Sequence, residues 1–210
     1  MYLVDSTVSD NSSGWTGGID SYFHTMMTLT RSTVSNKVAA DMAGGLRTLG
    51  NVAIVNSSIN GNTSTTWHGS GAFITGSTIA GNNAPAGTAG LFLGTFTDAS
   101  ATLNIQNSIV ANNGDFGCFL APFGAGAVAI NSLGNNVFTD GTCSPITSDK
   151  IVGDALLGAL AGNGGPTQTH ALLAGSPAID AGNNAVCAAT DQRGVARDAA
   201  CDVGAYEFVP

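Results

Sequence analysis

Charge is what this 210-residue chain has least of: charged residues are 10% of it, and the cations are only Lys37, Lys150, Arg31, Arg47, Arg193 and Arg197. No basic stripe is available to follow a phosphate backbone, which argues against nucleic acid as a partner. Glutamate is nearly missing too, with thirteen Asp against the single Glu207 and a net charge of −8. Asp serves turns and, where several converge, calcium, so calcium is the one cofactor the composition leaves open. No Asp-x-Asp-x-Asp-Gly loop is present to hold it in the familiar way. No apolar run approaches the roughly 20 residues that span a bilayer, so no membrane span is expected. Nothing at the N-terminus has the form of a signal peptide. Met1 opens directly into a repeat, which points to a chain separated from an export signal and from further coils. No CxxC pair occurs among the four cysteines, which argues against structural zinc and thioredoxin-like redox chemistry.

What the chain does have is 43% apolar residues and 29 glycines. Its polar surface must therefore come mainly from Ser, Thr and Asn, which suit turns and stacked strands better than helices. Self-alignment gives a recurring unit: Ser6-Thr7-Val8-Ser9-Asp10-Asn11, then units beginning at Ser32, Ser57, Ser77 and Asn107, and a weaker one over 131–136. The apolar anchors Val8, Val34, Ile59, Ile79, Ile109 and Leu133 stand 26, 25, 20, 30 and 24 residues apart. Such periods mark a solenoid, and β-branched anchors without a 3.6-residue stripe or a Leu frame select stacked parallel strands.

In four units a second apolar residue sits five before the anchor, as in Leu29 with Val34. Side chains alternate along a strand, so an odd spacing with both residues inside requires a bend between them. Three positions past the anchors stand Asn11, Lys37, Asn62, Asn82, Asn112 and Asn136, an asparagine ladder interrupted by a lysine expected to be solvated. Gly17-Gly18, Gly44-Gly45 and Gly90 mark a second corner of tight turns. The fold expected is all-β: a right-handed parallel β-helix of about 25-residue coils over 1–143, followed by a disulfide-bearing cap over 144–210. Of the three possible cysteine pairings, Cys118 with Cys143 is favoured because 25 residues is one coil, which leaves Cys187 with Cys201.

From about Ser144 the repeat gives way to Asp154-Ala155-Leu156-Leu157, Asn163-Gly164-Gly165-Pro166-Thr167-Gln168-Thr169-His170, Gly175-Ser176-Pro177-Ala178-Ile179-Asp180-Ala181-Gly182, Asp191-Gln192-Arg193-Gly194 and Cys201-Asp202-Val203-Gly204. These residues resemble the C-terminal module of large secreted bacterial β-helix proteins of the choice-of-anchor type, related to polymorphic outer-membrane and adhesin-like repeat proteins. The resemblance covers about the last 65 residues, and the coil motif is similar to theirs as well. It implies a β-helix exported to the cell surface or beyond, and it brings no catalytic residues with it.

Two functional expectations follow. Counting seven or eight residues past each anchor gives Trp15, Asp41, Trp67 with His68 beside it, Ala86 and Phe116, so aromatics recur on one corner. Coils rise about 4.8 Å, and alternate rings about 10 Å apart would suit sugars. Trp15, Trp67, His68 and Phe116 are thus the candidate ligand-binding residues for an extracellular glycan, while His24 beside Tyr22 and Phe23 reads as a loop residue. The rival expectation is a hydrolase or lyase acting on an ester, lactone or polysaccharide, sited between coils and cap. There His170, Asp191 and Arg193, with Asp180 and Asp202 near in sequence, would supply base, orienting partner and anion-stabilising cation. A Ser176-His170-Asp180 triad is a further form of it, without a Gly-x-Ser-x-Gly frame. Thr7, Thr33 and Thr78 recur once per coil, a sparse version of an ice-binding face. An unpaired first rung would also permit edge-to-edge pairing of two copies.

Overall fold

The protein is described from a computed structural model, which covers residues 1–21, 26–39, 44–48, 50–63, 66–67, 71–83, 90–95, 100–122 and 124–210, with the side chains of 66, 67 and 95 excepted. Three parallel sheets run the length of a solenoid. The first stacks Tyr2–Val4, Met26–Thr30, Asn51–Val55, Gly71–Thr75, Ala101–Gln106 and Val128–Ser132. The second begins with Thr7–Ser9 and Thr33–Ser35 and ends with Ile109–Ala111, Val137–Phe138 and Lys150–Ile151. The third runs from Ile19–Ser21 through Leu46–Thr48, Thr66–Trp67 and Leu91–Thr95 to Cys118–Pro122.

The expected bend is real and has two parts. One residue per coil takes a left-handed conformation between the first and second sheets: Asp5, Arg31, Asn56, Gly76, Asn107 and Asn135. Asn, Asp and Gly tolerate that geometry best, which accounts for their recurrence at the position. Next to it stands a serine ladder. The hydroxyls of Ser32, Ser57, Ser77 and Ser108 each accept the backbone N–H of the serine one coil earlier, and Asn136 Oδ1 accepts that of Ser108. Each serine also donates to the carbonyl two residues back, so one small side chain satisfies two buried backbone groups.

Two assignments made from spacing need correction. The register pairs Ile79 with Val110, and Val110 with Phe138, so the fifth and sixth anchors are Val110 and Phe138. Phe138 is wholly buried, whereas Leu133 is 43% exposed. The one-residue shift carries the ladder with it: Asn62, Asn82 and Asn113 stack through their carboxamides. Asn112 instead supplies the left-handed residue before the ladder, and Asn136 belongs to the serine corner. Lys37 does occupy the ladder position, but it is 0% exposed and its Nζ has no hydrogen-bond partner among the described residues. The side chain is shielded at that corner, so its amine loses hydration there.

The glycine corner behaves as read. A Cβ on Gly18 would lie 1.9 Å from Gly45 O and one on Gly90 2.1 Å from Gly117 O, so consecutive coils touch backbone to backbone there. Inside, Leu29, Ile54, Ile74, Ile105 and their neighbours form one continuous core. Cys118 and Cys143 are joined across adjacent rungs, and Cys187 is joined to Cys201.

The outer face of the first sheet is built from three rows in register. One row is Tyr2, Thr28, Ala53, Phe73, Asn104 and Asn131. Val4, Thr30, Val55, Thr75 and Gln106 form the second, and Met26, Asn51, Gly71, Thr102 and Ala129 the third.

The C-terminal module does more than follow the last rung. It turns back as a strap along the outer face of the second sheet and buries a second core, in which Ile109, Ala111 and Val137 meet Ala155, Leu172, Ala178 and Val203. The approach is close: a Cβ on Gly204 would stand 2.7 Å from Ile109 Cδ1, and φ at this residue is +96°. Thr33 and Thr78 lie under the strap, fully or nearly fully buried, so this threonine row offers no flat face to ice.

Candidate functional site

Two regions hold the residues singled out from sequence. The first is the outer side of the third sheet. Trp15 precedes the first strand of that sheet and is 55% exposed; Phe116 precedes the last and is 39% exposed. With four rung intervals between those strands, the two rings are roughly 19 Å apart along the stack. His68, His24, Asp41 and Ala86 lie outside the described residues, as does the side chain of Trp67, whose backbone pairs with Thr48 and Leu93.

Sequence reading missed the two rings that make this region a cluster. Phe92 and Phe119 are register partners, stacked with centroids 5.7 Å apart and planes at 17°. Phe116 leans on Phe119 at 6.1 Å. The signal was present in Leu91-Phe92-Leu93 and Cys118-Phe119-Leu120, one coil apart. Phe119 remains 37% exposed, so the cluster is partly open to solvent. Further along the same row, Asp20 and Arg47 neutralise each other at 3.0 Å.

The second region is the strap. His170 lies on the strand Thr169–Leu172, which pairs antiparallel with Leu157–Ala161. Its ring is buried; Nδ1 donates to Gly158 O at 2.7 Å, and Nε2 accepts from the Asn60 carboxamide at 3.0 Å, the tautomer following from those partners. Desolvation lowers its pKa below the ordinary 6.5, against a smaller opposing effect of the Gly158 bond. The imidazole is therefore neutral when folded and takes up a proton more readily when unfolded. The stability this contributes is complete above 6.5 and is lost as pH falls toward the depressed folded value. Unfolding titrations between pH 7.5 and 5 are expected to show this loss, and a His170→Gln variant is expected to show less of it. Identical pH profiles for the two proteins would contradict the assignment.

Asp191 and Arg193 come together and share no hydrogen bond with His170. Asp191 is fully buried; Oδ1 accepts from the N–H groups of Arg193 and Val195, and Oδ2 from Arg193 Nε and Glu207 N–H. The Arg193 guanidinium also donates to Asn163 O and Glu207 O and lies 3.6 Å from the Tyr206 ring centroid. Between them Gln192 points at the coils, accepting from Ser58 Oγ and donating to Thr33 Oγ1, Thr167 Oγ1 and Gln168 O. Ser176 Oγ donates to Ala155 O and accepts from Ala178 N–H, so it shares no bond with His170.

Between strap and coils lies a pocket of about 150 Å³, where the corner Asn56, Gly76 and Asn107 meets Cys187, Arg197 and Asp202. That volume accommodates about five waters. Arg197 is paired with Glu207 at 2.9 Å. The Asp202 carboxylate accepts the N–H groups of Asp180 and Phe208, while burial, above all, pushes its pKa up. Among the described residues no three His, Cys, Asp or Glu side chains converge as metal ligands, and no helix is long and apolar enough to cross a membrane.

The model of the right-handed beta helix region matches residues 2–155. No curated protein and no solved structure matches the chain.

Proposed function

The chain belongs to the right-handed β-helix family, and from that premise we propose that it is a secreted or cell-surface module that binds extracellular carbohydrate or cell surfaces. The observation that carries this is the exposed ring cluster of Phe92, Phe116 and Phe119, with Trp15 further along the same sheet. Rings held at fixed spacing by consecutive rungs offer flat apolar faces to the C–H faces of sugars at little entropic cost. Two disulfides with no free cysteine support a place outside the reducing cytosol, as does the resemblance of the C-terminal module to exported proteins.

A hydrolase or lyase would need His170, Asp191 and Arg193 to reach a substrate. In our reading these groups spend their bonding capacity on the strap: the carboxylate of Asp191 has four donors, and both nitrogens of His170 are engaged. The dense set of able side chains is then a clamp holding irregular backbone against the second sheet, which needs such groups because it has few ladder bonds of its own.

An aromatic pair interaction contributes about 0.5–1.5 kcal/mol beyond its buried area. Phe116→Ala and Phe119→Ala are accordingly expected to weaken binding of soluble oligosaccharides by roughly three- to tenfold each. Isothermal titration against a panel of neutral and acidic oligosaccharides would measure it. Unchanged affinity in the triple variant with Trp15→Ala would sink the proposal.

A further inference from the structure

A second surface, on a different side of the solenoid, has a composition that the fold alone does not require. The three outward rows of the first sheet contain no Asp, Glu, Lys or Arg, in a chain whose net charge is −8. Charged residues are 10% of the chain, and all of them lie outside these three rows. Here Thr, Asn and Gln alternate with Tyr2, Met26 and Phe73, all three exposed, Tyr2 to 75%. At its edges the charges are paired: Arg31 with Asp5 at 2.7 Å at the corner, and Arg197, which lines a pocket with Val55 and Thr75, with Glu207 at 2.9 Å. The face is also regular, because all six strands are parallel and in register.

We propose that this face binds a neutral polysaccharide presented as a flat array of chains. Each feature selects for that ligand. An anionic polymer would approach a net-negative protein and find no cation on the face. A cationic one would be drawn to the aspartates elsewhere. Hydroxyl and carboxamide groups match sugar hydroxyls, and the interspersed apolar side chains match sugar C–H surfaces. Size argues against a folded protein partner: six strands about 4.8 Å apart and five residues at about 3.3 Å give roughly 400 Å². A stable protein interface covers about 800 Å² per partner. A shallow face of that area suits many weak contacts repeated along a fibre.

This inference shares with the proposed function only the view that the ligand is a glycan, and it uses none of the same residues. It is tested by adsorption of the purified chain to microcrystalline cellulose and to chitin particles, with alginate beads as the anionic comparison. Adsorption to at least one neutral solid, changing little up to 1 M NaCl, is expected. Ala53→Lys, in the middle of the face, and Thr75→Lys, a row away, are each expected to lower the partition coefficient at least tenfold. Circular dichroism should show both variants folded, and Leu173→Lys, which adds the same charge at an exposed position on the strap, should adsorb like the parent. If Ala53→Lys and Thr75→Lys adsorb like the parent, the inference is overturned; if Phe119→Ala alone loses adsorption, the third sheet is the whole binding site. Absence of adsorption to both neutral solids also overturns it, even where soluble oligosaccharides still bind the ring cluster. Thermal hysteresis in place of glycan adsorption would reassign the face to ice.

Discussion

Asp191→Ala is expected to destabilise the protein by about 3–5 kcal/mol, the usual consequence of removing one member of a buried ion pair. The carboxylate is fully buried and holds Arg193 at 2.8 Å. Without it the guanidinium keeps only carbonyl partners and the Tyr206 ring, while the N–H groups of Val195 and Glu207 lose their acceptor in the interior. Because Gln192 is the neighbouring residue and ties the strap to Thr33 and Ser58, the damage should spread to strap docking and not stay at one turn. Urea unfolding followed by circular dichroism measures the loss, and protection of strap amides from hydrogen exchange locates it. Replacement of both Asp191 and Arg193 by apolar residues should be milder than Asp191→Ala alone, since no orphaned charge remains. A loss under 1 kcal/mol for Asp191→Ala would mean that the strap is held by other contacts.

Lys37→Asn is expected to do the opposite and stabilise the protein by about 2 kcal/mol or more, the order of cost of an unsatisfied buried polar group. Asn62, Asn82 and Asn113 fill the equivalent position in later coils, each donating through Nδ2 to a strand carbonyl of the preceding coil. An asparagine at 37 would extend that pattern toward Val8 O and Asn11 N–H. Lys37 Nζ has no acceptor among the described residues, and desolvation lowers its pKa, with Asp10 as the weaker opposing influence. The amine therefore binds a proton less readily in the fold than in the unfolded chain. Parent stability should rise with pH between the depressed folded value and the ordinary 10.5. The Lys37→Asn variant should lack that rise. Thermal melts at pH 7 and pH 9.5 compare the two directly. A variant that melts lower than the parent at both pH values would place the amine in contact with water or an acceptor.

The architecture was legible because its determinants are local and repeated. Most coils write their corners as left-handed Asn, Asp or Gly, their ladders as Ser and Asn, and their interior as β-branched anchors, with Arg31, Lys37 and Phe138 as the exceptions, so period alone brings the pattern out. The error at the fifth coil came from matching the string Ser-Ile to its predecessors. Ile105 and Val110 keep the five-residue spacing that Ile109 breaks, and that spacing is a bend constraint, so it outranks the string. Lys37 misled because residue type argued for solvent while position argued for the interior, and position won.

The strap had no such signature. Gln192 reaching Thr33, or Gly204 settling on Ile109, joins residues more than 90 apart in sequence without periodicity. The sequence did reveal a dense set of able groups around Asp191, but whether such groups meet solvent or backbone depends on a docking event that only the assembled structure contains. The aromatic site was half legible: Trp15 and Phe116 came from phase counting, and the Phe92–Phe119 stack needed the register.

We propose that this chain holds glycans without altering them. Incubation of the purified protein with neutral and acidic polysaccharides, scoring both retention on the polymer and release of reducing or unsaturated ends, tests it most directly. Retention with no new ends is the predicted result. New ends that disappear in a folded His170→Gln variant would contradict the account and return His170 to the role of a catalyst.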